Sequence, residues 1–139
     1  MTQAELSTGA GLLGAFLSYA FGGWSEALAF LLLVIGIDVI TGVSASLKEG
    51  AGLSSAVMSA GLAKKGLTLV VILLAHRMDI LLGTDVVMVG AVYFYIANEL
   101  ISITENYGRL GLPLPDAVKR VIAVLKNKGG ANDDGELPR

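Results

Sequence analysis

Two carboxylic acids sit where a carboxylic acid is expensive. Asp38 and Glu99 each fall inside a long apolar stretch, 61 positions apart by their numbering. A charge near the centre of a membrane-crossing helix costs ~2.5–3.5 kcal/mol even on the most lenient insertion scale. An acid held there needs a hydrogen-bonding partner, a proton or contact with water. Asp38, Thr41, Gly42 and Ala45 recur at helical spacing and share one face. Tyr95, Asn98, Ser102 and Glu105 share another, with Glu99 and Asn106 on its flank. Two chemistries suit such faces. They are either polar seams between packed helices, with at least one acid protonated, or the lining of a water-filled space. His76, Arg77 and Asp79 form a lesser group. Arg77 can run its stem along apolar surface toward the headgroups, and His76 and Asp79 can pair locally at i and i+3. His76 and Asp79 are therefore weaker candidates, with a proton relay as their functional reading.

Catalysis is not expected. The chain has no phosphate-binding GxxxxGK[ST] loop, no HExxH and no GxSxG elbow. With no cysteine and a single histidine, neither a disulfide framework nor a thiolate or imidazole metal site is expected, and no cofactor.

The elements that must position these residues are helices in lipid. Of 139 residues, 54% are hydrophobic and 16% charged, with a mean hydropathy of +0.71; ordinary soluble domains run ~25% charged. Four apolar stretches stand out, over about 6–22, 26–47, 66–82 and 86–106. A helix needs ~17–25 residues to cross the hydrocarbon core. The second and fourth meet this readily and the third narrowly. The first is short and rich in Gly, Ser and Thr, and it either spans or lies in the interface, with spanning the favoured reading. The expected class is an all-α membrane protein of three to four spans, filling residues 1–107, plus an amphipathic helix over 108–128 and a disordered tail over 129–139. Leu53, Ala56, Val57 and Ala60 suggest a short helix lying on the membrane between the second and third spans.

Trp24, in a tight Gly22-Gly23-Trp24-Ser25 turn, suits the headgroup level, and Lys64 and Lys65 read as anchors at the opposite interface. The basic residues cluster in 48–65 and after 106, which two spans place on one side; the positive-inside rule makes that side cytoplasmic. The C-terminus is then cytoplasmic too. In that orientation Asp38 lies ~18 Å and Glu99 ~20 Å from the outer helix ends, so their polar groups share one depth. The last helix is expected to start near Pro115. It presents Leu114, Val118, Val121, Ile122 and Leu125 on one face and Lys119, Arg120 and Lys126 on the other. Residues Met1 to Thr8 hold Glu5 but no Lys or Arg, so a secretory signal peptide is not expected.

Several of these stretches together resemble one family. They are Phe21-Gly22-Gly23-Trp24, Asp38-Val39-Ile40-Thr41-Gly42, Gly61-Leu62-Ala63-Lys64-Lys65 and Ala75-His76 followed by Asp79. Further on come Tyr95-Ile96-Ala97-Asn98-Glu99, Ile101-Ser102-Ile103, Glu105-Asn106 and Gly111-Leu112-Pro113-Leu114-Pro115. Over about 9–128 this order is similar to the toxin-secretion and phage-lysis holins. The resemblance implies a pore-forming homo-oligomer of the bacterial inner membrane, phage- or prophage-encoded. It would permeabilise the membrane to an endolysin, a peptidoglycan hydrolase, or to a large toxin, with an antiholin as a further partner. Two departures stand out. Leu100 follows Asn98-Glu99 where relatives carry glycine, and the next methionine after Met1 is Met58, so no dual start is visible. An opening of ~30 Å needs about a dozen helices ~10 Å wide around it, which one chain cannot supply. Two rivals stand beside this reading. One is a small dimeric ion channel or proton-coupled transporter using Asp38 or Glu99; the other is a passive scaffold recruiting a partner through its tail. Nucleic acid is not an expected partner.

Overall fold

A computed structural model describes the backbone through residue 130 and side chains through residue 124; the expected tail from 131 onward lies outside the described residues. Five helices follow in order: α1 (Gln3–Phe21), α2 (Glu26–Lys48), α3 (Ser55–Leu82), α4 (Val86–Leu110) and α5 (Asp116–Gly130). No strand occurs among the described residues.

Local chemistry sets the helix ends. Thr2 and Glu5 form a reciprocal capping box at α1. Ser25 caps α2 by accepting from the Leu28 N–H at 3.1 Å. Gly22, Gly83 and Gly111 end α1, α3 and α4 in the left-handed conformation, which glycine adopts without steric cost. The start of α4 is capped from outside. Asp85 stands at its N-cap position with no side-chain bond. Asp79 on α3 instead accepts from the Val87 N–H at 3.0 Å, the Met88 N–H at 2.7 Å and the Thr84 hydroxyl at 2.6 Å. A carboxylate at a helix N-terminus satisfies orphan donors and complements the dipole. This corrects the expected local pairing of Asp79 with His76: three donors at the head of α4 claim its carboxylate.

Three helices, α2, α3 and α4, are long and apolar enough to cross a membrane, and α1 is not among them. At 1.5 Å per residue they measure ~35, ~42 and ~38 Å against a hydrocarbon core of ~30 Å. The separate surface helix expected before the third span does not exist. Ala56, Ala60, Leu62 and Ala63 favour helix, and α3 absorbs them with Val57 as its first turns. Likewise α5 continues through Gly130, past the expected end at 128.

The helix α4 packs against both α2 and α3, while α1 packs on α3 and α5 on α4. Leu28, Leu31 and Val34 of α2, Ile72 of α3, and Val92 and Ile96 of α4 form the buried core. On α4 the inward series runs Val92, Ile96, Glu99, Ile103, Asn106, alternating four and three residues; all are buried except the half-buried Ile103. That repeat is the seam of helices crossing at a shallow angle. Most other large apolar side chains, such as Leu33, Ile40, Leu67 and Phe94, face outward. In water such a surface would aggregate; in lipid it is the ordinary exterior.

At one end of the bundle α1 is held to α3 by two contacts. The Arg77 guanidinium lies 4.5 Å from the centroid of the Tyr19 ring. Gly22, at φ 71, is packed so closely that a Cβ there would meet His76 Cε1 at 2.6 Å.

Candidate functional site

The polar residues of α2, α3 and α4 converge in one cluster. The Lys65 ammonium donates to Asp38 Oδ2 at 2.6 Å and to Glu99 Oε2 at 2.5 Å, joining all three long helices at one atom. The side chains of Asp38 and Glu99 are 9% and 10% exposed and that of Lys65 19%, so the charges sit largely out of solvent. Desolvating charges is costly, and a buried ion pair is sustained only by good geometry and complete hydrogen bonding. Asp38 meets that condition. Its second oxygen accepts from Asn106 Nδ2 at 2.9 Å, and the same Nδ2 lies 3.1 Å from the Thr41 hydroxyl. With one ammonium against two carboxyls, the cluster is neutral when one acid carries its proton.

From there a polar ladder runs between α2 and α4 toward the basic end of the bundle. Arg109 Nη1 donates to Asn106 Oδ1 at 3.2 Å. Its Nε and Nη2 grip Glu49 at 3.0 and 2.7 Å, the bidentate fork that suits guanidinium to carboxylate. The Lys48 ammonium donates to the Leu110 carbonyl at the end of α4. Glu49 lies just past the spans, and its hydrogen bond to Arg109 holds its carboxyl below the ordinary value of 4.5.

A cavity of about 450 Å³ opens beside the cluster. Its walls are the inner face of α2, residues 51–54 and the first turns of α3, with Lys65, Asn106 and Arg109 at its polar side. A second, of about 320 Å³, lies at the opposite end beneath the α1–α2 turn, bounded by Trp24, His76 and Tyr93.

The expected site residues divide sharply. Asp38, Glu99 and Asn106 are buried together, with Thr41 and Ser102 half-buried beside them. Asn98 and Glu105 are exposed, against the expectation that they share the inward face. The core-forming residues Val92 and Ile96 choose the face of α4 that turns inward, and Glu99 and Asn106 continue it. Asn98 and Glu105 lie about a quarter-turn or more away. Lys64 and Trp24 are exposed, as interface anchors would be. Lys65 is not such an anchor. It stands ten residues into α3, ~15 Å from its start, and its ammonium is committed to the two acids. Sequence reasoning misses this because the apolar run itself starts at 66, which leaves Lys65 outside the expected span. The count of charges held the clue: two acids at one depth call for a cation on the remaining span. No group of three metal-ligating side chains occurs among the described residues.

A sequence profile of the bacteriophage holin family matches residues 15–127, which takes in every member of this cluster. An uncharacterised protein of Halalkalibacterium halodurans is 38% identical over 130 residues, covering 89% of this chain and 96% of its own. One from Listeria monocytogenes is 37% identical over 122 residues, covering 87% and 86%. A 14.9 kDa protein in the nagH 3′ region of Clostridium perfringens is 42% identical over 118 residues, covering 84% and 89%. No solved structure matches the chain.

Proposed function

This chain belongs to the bacteriophage holin family, and from that premise we propose that it oligomerises in a bacterial inner membrane and permeabilises it, releasing an endolysin or large toxin for cell lysis. The observation that carries the mechanism is the Asp38–Lys65–Glu99 cluster, buried where α2, α3 and α4 meet. In the resting protein the cluster ties the three spans together and hides its charges from lipid. Opening requires α3 to part from α2 and α4. The freed face is charged, so it is costly against acyl chains and favours a water-filled lumen. The large cavity beside Lys65 supports this reading, since it already leaves space between α2, α4 and the first turns of α3. A cytoplasmic C-terminus is supported by the positive-inside rule, since Lys48, Lys64, Arg109 and Lys119 fall on one side of the spans α2, α3 and α4.

The rival reading, a small dimeric channel or proton-coupled transporter, finds less support. It needs a carboxylate free to bind a cation, and the Lys65 ammonium occupies that position on both acids.

The test is induction in bacterial cells with and without a co-expressed peptidoglycan hydrolase lacking its own export signal. Abrupt loss of turbidity only when both are present is expected. Lysis that never follows, with ion leakage alone, would replace the holin reading with the channel.

A further inference from the structure

The outward face of α4 carries a second seam. Val87, Ala91, Phe94, Asn98, Ile101 and Glu105 alternate four and three residues, the same repeat as the inward series and on another side of the helix. Phe94 is 54% exposed; Asn98 and Glu105 are exposed and Val87, Ala91 and Ile101 half-buried, with Ala91 at the border where this face meets the core. Asn98 stands twelve residues from the start of α4, ~18 Å along it and so near the middle of a ~30 Å core. Its carboxamide makes no hydrogen bond to the described residues of its own chain. Two donors and an acceptor turned toward acyl chains have nothing to bond, and polar groups in hydrocarbon are compensated only by another helix or by water.

We infer that this face is where a second copy of the chain packs, α4 against α4, with Asn98 bonded to its own counterpart. Three features select a second copy. Copies inserted in the same sense bring Asn98 to Asn98 at one depth, with no need for a partner that happens to carry a polar group there. A carboxamide is both donor and acceptor, so it is complementary to itself. A single Asn among the apolar residues of a four-three repeat, here with Glu105 only at its end, is also the arrangement that fixes register in paired helices. Glu105 ends the seam ~28 Å along α4, ~10 Å past Asn98 and toward the basic end of the span, where nearby water reduces the repulsion between like charges. The inference extends the oligomerisation proposed above by naming the surface, and it rests on the membrane reading of α4.

The chain contains no cysteine, so single thiols report cleanly. Asn98→Cys and, on a different exposed face, Tyr93→Cys are introduced into the full chain in native membranes and oxidised. Disulfide-linked dimers are expected at 98 and not at 93. Energy transfer between labelled copies in liposomes should show Asn98→Leu weakening association roughly three- to thirtyfold, the size of an interhelical polar contact in lipid, and Asn98→Gln restoring it. Equal cross-linking at both positions, none at 98, or modification of the 98 thiol by a membrane-impermeant reagent overturns the inference. Cross-linking does not depend on lysis. A chain that lyses cells but fails to link at 98 refutes this interface alone, and one that links but never lyses refutes the proposed function alone.

Discussion

Replacing Lys65 by methionine removes the one cation from a cluster of two acids while keeping much of the side chain's bulk. Both Asp38 and Glu99 then lose their ion pair in a site where their side chains are 9% and 10% exposed. Breaking a buried pair by deleting one partner costs ~3–5 kcal/mol. The large cavity reaches Lys65, and its side chain keeps 19% exposure, so water can reach the orphaned acids and the lower end applies. At ~1.4 kcal/mol per decade, ~3 kcal/mol is about a hundredfold shift away from the resting bundle. Unfolding in mixed micelles with increasing denaturing detergent, followed by helical dichroism, should show the lost stability directly. The onset of lysis after induction should come earlier. A variant with Asp38→Asn, Lys65→Met and Glu99→Gln together exchanges charges for neutral polar groups and should recover most of the loss, because a buried ion cluster as a whole contributes little net stability. An unchanged Lys65→Met chain refutes the reasoning, and so does a triple variant as unstable as the single one.

Other perturbations follow from the same geometry. Asp79→Ala strips three accepted hydrogen bonds from the head of α4 and should cost ~2–3 kcal/mol in the same unfolding assay, with Asp79→Asn losing less. Gly22→Ala places a Cβ against His76 at a left-handed position; proteolysis should then release α1 faster, and adding His76→Ala should relieve only the clash. The Glu49 carboxyl, held low by Arg109, keeps its clamp above the ordinary carboxylate range and loses it as pH falls through the depressed value. NMR titration should place its midpoint below 4.5 in the native chain and return it toward 4.5 in Arg109→Ala.

Much of the scaffold could be read from residue order because lipid makes few demands and makes them plainly. The apolar runs over 26–47 and 86–106 state their own helices, although α4 goes on to Leu110. What escaped notice depends on neighbours distant in sequence. The face of α4 that turns inward is chosen by how Val92 and Ile96 fit Leu28, Leu31 and Val34, and that choice carries Glu99 in and Asn98 out. The start of α3 is hidden because Lys64 and Lys65 look like a boundary. Their helix continues through them, since a lysine with two acids in reach needs no water. Asp79 looked like a partner for His76 one turn away, yet its acceptors serve an N-terminus that only the completed hairpin supplies.

The order in which the cluster is built bears on biogenesis. Asp38 leaves the ribosome 27 residues before Lys65, and Glu99 follows 34 after that. At ~5–20 residues per second, Asp38 waits about one to five seconds for its counter-ion. Sent into lipid alone, it must cross as the uncharged acid. Sent in with α3 as a hairpin, it arrives already neutralised, and Glu99 later docks onto an acid–ammonium pair. Delivery as a hairpin thus spares the translocation machinery the most unfavourable intermediate, and it makes the spacing between α2 and α3 a constraint on synthesis as well as on the finished bundle.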